Sequence, residues 1–548
     1  MKIFVPLFFA VLFVLSFFQA HAQEYYWVAF TDKNDTPYSL STPENFLSER
    51  SIQRRRAQQI KIDSLDLPVN QSYINQVVRS GVSMVHSSKW LNGITVKVEI
   101  NNFIAIVEAL PFVKEVELTK PGVINKSAII KFNESQTKSG TQFFDASLYG
   151  ESLFQLTNTN GQYLHNAEYE GQGMEIAVLD AGFYNVDTYA AFDSLWVNGQ
   201  VRGYKDFVNP GDDFFATDYH GMSVLSCMGG NIPNELIGTA PKASYWLLRS
   251  EEKGSEYLIE EDNWVAAAEF ADSVGADVIN SSLGYFLFND TSMNHTYVEM
   301  DGHTTRVTRG ANIAASRGML VFSSAGNERN DPWKYIIAPS DGDNVIAVGA
   351  VDVDSIPANF SSSGPASDGD VKPNVSTVGR NTVVQLSNGE VGYSNGTSFS
   401  SPVMAGLGAC LWQANRRATA EQIKSAIEQS ANLFSSPDSI MGYGIPDFML
   451  ADQLLKSSLI AEKEIQNSWI AYPNPAKDVV LLKNTGLSAV EKVEVDFYSV
   501  DGRFLGGKQF DGSQPVILRD LQFLPSGLII LKIRSDNSTE SLRLIKSR

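Results

Sequence analysis

The sequence predicts an α/β protein: a parallel sheet covered by helices on both faces, preceded by a small α+β unit and followed by an antiparallel β-sandwich. Three observations carry that expectation. Between residues 148 and 456, short aliphatic runs alternate with helical stretches, the pattern of strands buried on both sides by helices. Ahead of this block, two runs alternate with period two on either side of a helical stretch, as half-buried strands do. Behind it, strand-like runs are punctuated by Asp501-Gly502 and Asp511-Gly512, dipeptides suited to tight hairpin turns.

The elements follow in chain order. Lys2, the apolar run Phe4 to Phe18 and Ala20-His21-Ala22 form a cleavable export signal over 1–22 that would leave Gln23 first. A membrane anchor needs about 20 apolar residues, and this run is shorter. No cysteine follows the cleavage point, so no lipid anchor is expected there, and no other stretch reads as a membrane span. Within 23–120, Ile94–Ile100 and Phe112–Leu118 read as strands and Asn102–Leu110 as a helix. Residues 121–147 are polar and unpatterned, an exposed linker of the kind where proteolytic nicking concentrates.

The 148–456 block carries strand candidates at Met174–Leu179, Tyr245–Leu248, Asp277–Ile279, Met319–Phe322 and Asn344–Val348. Helices are expected at His220–Met228, Leu258–Val274, Thr308–Ser316 and Ser401–Ala414. In open parallel sheets, ligand-binding groups gather at the carboxyl ends of the strands. From 465 to 548, strands at Val479–Lys483, Val493–Tyr498 and Leu528–Ile533 make the sandwich.

With 548 residues, 43% of them hydrophobic, the chain can fill several cores. Its charge is concentrated: residues 148–460 hold 16 Lys and Arg against 38 Asp and Glu, a formal −22 in a chain whose total is −19. That field argues against nucleic acid as a partner, whose phosphates it would repel. Cys227 and Cys410 are the only cysteines, too few for a disulfide-held scaffold. They fall on neighbouring core helices and are read either as a pair or as two buried thiols.

Four polar positions stand out. Asp180 ends the apolar run Glu175-Ile176-Ala177-Val178-Leu179, where a carboxylate is costly unless it is hydrogen-bonded. His220 heads an apolar helix with Gly221 behind it. Ser398 falls just before a helix whose first turn contains Pro402, among free backbone N–H groups at the positive end. Asn327 follows the strand Met319–Phe322 and could donate from its amide. Each has a plain structural explanation when taken alone.

Together, and in the order Asp, His, Ser, they resemble the signatures of the subtilisin-like serine proteases, the S8 subtilases. The matching patterns are strand-Asp-x-Gly, His-Gly-x-x-Val and Gly-Thr-Ser-x-x-x-Pro-x-x-Ala-Gly. The resemblance implies a secreted endopeptidase with Asp180, His220 and Ser398 as its triad and Asn327 as an oxyanion donor. It implies protein or peptide substrates lying against Ser282, Leu283 and Gly284 by strand-like pairing, with Ala325 and Gly326 as the opposite wall of the first pocket. No cofactor is required for that chemistry; structural calcium is common in the family, but no ligand set here assigns it. Residues 23–120 take the place of a propeptide that chaperones and inhibits the enzyme. Tyr472-Pro473-Asn474-Pro475 opens a terminal segment resembling the sorting domain of the Bacteroidetes type IX secretion system, which implies that machinery as a partner and release or surface attachment.

The chain also departs from the family. Ala181 stands where Ser or Thr is usual after the aspartate, so a hydroxyl that orients the carboxylate is expected to be missing. Met222, Phe399 and Ser400 differ from the commonest residues, and the insertion-like stretch Asn294–Arg309 is expected at the groove rim rather than around a metal. Arg54-Arg55-Arg56 reads as a solvated run or as a contact with the acidic block. The competing reading is a non-catalytic subtilisin-like surface binding protein; an esterase would carry Gly-x-Ser-x-Gly, which the Ser398 run does not match.

Overall fold

A computed structural model describes residues 23–79, 81–122, 148–466, 469–484, 492–511, 516–535 and 538–547. The export signal, linker residues 123–147 and Gly512 of the second Asp-Gly pair lie outside these residues. The chain divides into two compact units, Met1–Asp452 and Gln453–Arg548. Among the described residues no helix is long and apolar enough to cross a membrane.

The first unit opens with a four-stranded antiparallel sheet. Its strands are β1 (Glu24–Phe30), β2 (Val82–Ser88), β3 (Gly93–Val98) and β4 (Val113–Lys120), ordered β2-β3-β1-β4. Helices α1 (Glu49–Ala57), α2 (Gln71–Val77) and α3 (Phe103–Glu108) accompany it. Val28, Ile94, Val96 and Val107 are fully buried in its own core.

Seven parallel strands follow: β5 (Glu175–Asp180), β6 (Val201–Asp206), β7 (Ser244–Arg249), β8 (Val278–Ser281), β9 (Leu320–Ser324), β10 (Ile346–Val351) and β11 (Val375–Val378). Their spatial order is β11-β10-β9-β8-β5-β7-β6. Strands β5, β8, β9 and β10 are buried throughout, which is why they read as unbroken aliphatic runs rather than alternating ones. Around the sheet lie α4 (His220–Gly229), α5 (Ile259–Val274), α6 (Arg306–Ser316) and α7 (Thr397–Ala414). Cys227 on α4 and Cys410 on α7 are both buried thiols, and no disulfide joins them. Cys410 reaches the Thr239 carbonyl at 3.2 Å.

The α1 arginines are not a solvated run. Arg54 and Arg55 are buried, and both bind Asp272 in the last turn of α5, at 2.5 Å and 2.9 Å; only Arg56 is exposed. Lys89 joins them at 3.1 Å, and Arg55 also holds Asp66 at 2.6 Å. Burial alone would push the Asp272 carboxyl up, but Lys89, Arg54 and Arg55 outweigh it and hold the group well below the carboxylate range. Seven residues, close to two turns of α5, separate Asp262 from Glu269, and Asp272 follows one short turn later on the same broad side, so all three meet the N-terminal domain. Asp262 accepts from Thr95 at 2.9 Å, and Glu269 accepts from the Lys89 and Trp90 amides at 2.9 and 3.0 Å.

The second unit contains a three-stranded and a four-stranded antiparallel sheet. Val480, Phe497, Leu531 and Leu544 fill one core between them. The Asp501-Gly502 pair makes the expected turn, with the Gly502 amide bonded to the Ser499 carbonyl at 2.9 Å.

Removing one partner from a buried ionic cluster typically costs about 3–5 kcal/mol, because the remaining charges stay buried and uncompensated. Asp272→Asn is therefore expected to loosen the N-terminal domain from α5. Amide hydrogen exchange of the full chain should show lost protection in α1 and β2, with the C-terminal unit unaffected.

Candidate active site

Strand β5 delivers Asp180 to the carboxyl edge of the sheet, fully buried. Helix α4 begins at His220, whose amide is capped by the Asp218 carboxylate at 2.9 Å. The next residue has to be glycine: a Cβ on Gly221 would sit 2.4 Å from the Gly182 carbonyl oxygen and 2.7 Å from the Asp180 Cβ. That close approach sets His220 Nδ1 2.6 Å from Asp180 Oδ1. The same oxygen accepts from the Ala181 amide at 2.8 Å. Asp180 Oδ2 is buried and accepts no hydrogen bond from the described residues. The hydroxyl missing at Ala181 thus coincides with an unsatisfied oxygen. Burial, opposed by His220 and the Ala181 amide, pushes Asp180 up to about 6.

Ser398 lies inside helix α7, as its second residue, rather than just before it. Pro402 consequently sits in the second turn, not the first. A proline there removes the N–H that would bond the carbonyl four residues earlier, which is that of Ser398. The Ser282 hydroxyl donates to this carbonyl instead, at 2.8 Å, while the Ser398 hydroxyl lies 3.5 Å from the Ser282 carbonyl. Ser401 bonds Asn280 at 2.8 Å, and Asn280 bonds Ser282 at 3.2 Å. The helix start is thereby lashed to β8. Gly396, at φ 153° and ψ 151°, turns the chain into α7 through a region essentially restricted to glycine. Phe399 sets its ring 6.0 Å from the His220 ring, so the starts of α4 and α7 face each other.

Asn327 is held by its oxygen: Oδ1 accepts from the Thr397 amide at 2.9 Å and its hydroxyl at 3.1 Å. The Nδ2 donor is left pointing elsewhere. A cavity of about 220 Å³ joins Asn327 and Ser398 to Ser282, Leu283, Gly284 and Gly326. Ala325 is not on its surface; it packs behind the wall with Ile336 and Ala366, and Ser324 lines the cavity instead. Ile337, Phe286, Leu287, Glu251, Glu256 and Glu328 also line it, and none of them stands out from the sequence. None of Asn294–Arg309 lines it. His295 binds Glu261 at 2.5 Å, and Arg306 bridges Asp262 to Glu117 of the N-terminal domain, so this stretch backs onto α5. The exposed carboxylates of Asp343, Asp368 and Asp370 lie within 4.8 Å of one another, a grouping that acidic surfaces reach without a bound ion.

The fold and this constellation define a subtilisin-like serine endopeptidase. The chain belongs to the subtilase family, whose model matches residues 171–444. Residues 25–137 match the peptidase S8 propeptide domain of Bacteroidota, and 470–547 a secretion system C-terminal sorting domain. The chain is similar to the thermophilic serine proteinase of Bacillus sp. (strain AK1), 31% identical over 349 residues, or 63% of this chain and 75% of that protein. Subtilisin E of Bacillus subtilis (strain 168) is 28% identical over 293 residues, 52% of this chain and 67% of that one. Subtilisin of Bacillus pumilus is 28% identical over 282 residues, 50% and 89% respectively. The protein is a secreted serine protease zymogen, exported to the cell surface or beyond through its sorting domain.

Protonating Asp180 removes the acceptor for His220 Nδ1–H, so activity is expected to fall as pH drops through about 6. The apparent value belongs to the His–Asp pair. Ala181→Ser supplies a donor beside the unsatisfied oxygen, stabilises the ionised carboxyl and should move this acid limb to lower pH. A pH profile of kcat/KM whose limb stays in place would contradict the account of Ala181.

Proposed function

We propose that Asp180, His220 and Ser398 form the catalytic triad and that the enzyme frees itself from its N-terminal domain by cutting within 121–147. The observation that carries the reading is the 2.6 Å contact of His220 Nδ1 with a buried Asp180, opposite a serine in the first turn of a helix. Ser398 attacks a peptide carbonyl while His220 takes its proton and later delivers it to the leaving amine. Asp180 holds the tautomer and stabilises the imidazolium. The Asn327 amide and the Ser398 N–H, near the positive end of α7, bind the oxyanion. Water then releases the acyl group.

The domain limits that fit this scheme are an export signal at 1–22, a propeptide at 23–120, a linker carrying the maturation site at 121–147, the peptidase at 148–456 and the sorting domain at 465–548. Until cleavage the propeptide stabilises the folded enzyme by mass action. The type IX machinery is the export partner, and extended peptides pair with Ser282-Leu283-Gly284.

Intact mass of purified Gln23–Arg548 over time tests the scheme beside its Ser398→Ala form. The unaltered protein should be cut within 121–147 and take a serine-directed phosphonylating probe; the variant should do neither. If neither protein is cut or labelled, the triad assignment fails. Asn327→Ala is expected to lower kcat about 100- to 1000-fold with little change in KM, a magnitude established on subtilisin itself.

A further inference from the structure

The cavity beside Ser398 has a glycine in each of two facing walls, and one side chain touches both. One wall, Ser282-Leu283-Gly284, continues β8; the other, Ser324-Ala325-Gly326, continues β9. A Cβ on Gly284 would meet Cγ1 of Ile337 at 2.6 Å and its Cδ1 closer still. A Cβ on Gly326 would meet the same two atoms at 3.1 and 3.2 Å. The Cγ1–Cδ1 arm of Ile337 therefore lies between the walls, in the space that the two absent side chains leave.

The backbone holds the arm in place. On one side, the Ile336 amide donates to the Ser363 carbonyl at 3.0 Å, and the neighbouring Ser362 amide donates to the Gly326 carbonyl at 2.9 Å. On the other, the Ala338 carbonyl accepts at 2.8 Å from the amide of Tyr285, the residue after Gly284. The Ile337 carbonyl accepts from the Ser340 amide at 2.9 Å and from its hydroxyl at 2.6 Å. Residues 336–338 are thus tied to both walls, and a side chain branched at Cβ has little rotamer freedom. Ile337 is only 7% exposed, and what remains of its surface faces the cavity.

What enters this slot follows from the geometry of the reaction. The scissile carbonyl carbon meets the Ser398 hydroxyl, and its oxygen meets the Asn327 amide. Asn327 directly follows Gly326, and the Ser282 hydroxyl bonds the Ser398 carbonyl at 2.8 Å, so the slot opens at the reacting carbonyl. The residue that supplies this carbonyl carries its side chain on the adjoining carbon and directs it between Gly284 and Gly326. A methyl or hydroxymethyl group fits above Ile337. A longer or aromatic side chain has to displace an arm that both walls hold, and overpacking of that kind is unfavourable. Specificity built on such a clash rejects the wrong substrate rather than gripping the right one more tightly.

We propose that Ile337 forms the floor of this pocket and makes the enzyme cut after small residues, alanine or serine, rather than after leucine or phenylalanine. The proposal rests on the peptidase reading and adds to it the class of side chain that precedes the cut.

The test is a series of fluorogenic peptides that differ only in the residue before the scissile bond, which is alanine, leucine or phenylalanine. The matured enzyme should favour alanine over phenylalanine by about tenfold or more in kcat/KM, within the range that pocket size alone achieves. Ile337→Ala removes the arm and should raise the phenylalanine-to-alanine ratio about tenfold or more. Ile337→Val, which shortens the arm by Cδ1 alone, should move the ratio in the same direction by less. A ratio cancels the concentration of active enzyme, so a variant that folds incompletely still reports. Equal or faster cleavage of the phenylalanine peptide by the unaltered enzyme overturns the floor and leaves the peptidase reading standing. So does a ratio that moves by less than about twofold in Ile337→Ala, well under the effect of opening a pocket. An enzyme that takes the phosphonylating probe yet leaves the alanine peptide whole also overturns it. Neither cleavage nor phosphonylation would instead overturn the peptidase reading.

Discussion

Asp180 is a carboxylate with no access to water, and the geometry around it follows from the cost of keeping a charge there. Helix α4 must come close enough for His220 to bond it, which admits only glycine at position 221. The helix that carries Ser398 must then face α4, with Phe399 beside the imidazole. The strand end, the two helix starts and the cavity between them form one arrangement, and none of these parts can shift far without leaving the carboxylate unsatisfied. One oxygen is unsatisfied already, beside Ala181.

A second set of buried charges organises the precursor. Helix α5 is acidic on more than one side. Asp262, Glu269 and Asp272 meet Thr95, Lys89, Arg54 and Arg55 of the N-terminal domain. Glu261 meets His295, and the Glu260 carboxylate lies within 4.8 Å of those of Glu251 and Glu256. The excess of acid in the peptidase block is therefore not spread over a solvated surface. Much of it is committed to particular partners, and the docked domain supplies several of them.

The parts of the molecule that were legible in advance are those with local signals. The aliphatic strands, the apolar helices and the motif residues Asp180, His220 and Ser398 each announce themselves within a dozen residues. Strand β6 was not recognised, because only Asp206 of its six residues is buried and an edge strand lacks the aliphatic run. The bonding of Arg54 to Asp272 spans 218 residues, and no local pattern tells a buried arginine from a solvated one. Ile337 and Glu256 reach the cavity for the same reason: chain distance hides them, although the density of glutamates after β7 was a usable hint. Pro402 misled by one turn. Its companion signal, a hydroxyl residue such as Ser282 able to bond the carbonyl that proline leaves free, lies on another strand.

The interface on α5 has a consequence for the two forms of the protein. While the N-terminal domain is docked, Asp272 and Glu269 are dry, and their charges are neutralised by arginine and lysine. Once that domain departs, the same helix face becomes a hydrated anionic patch with its counterions supplied by the medium. Precursor and mature enzyme therefore differ in how they respond to salt. Salt screens the buried ionic contacts of the precursor only weakly, whereas it shields strongly the exposed patch that the mature enzyme is left with.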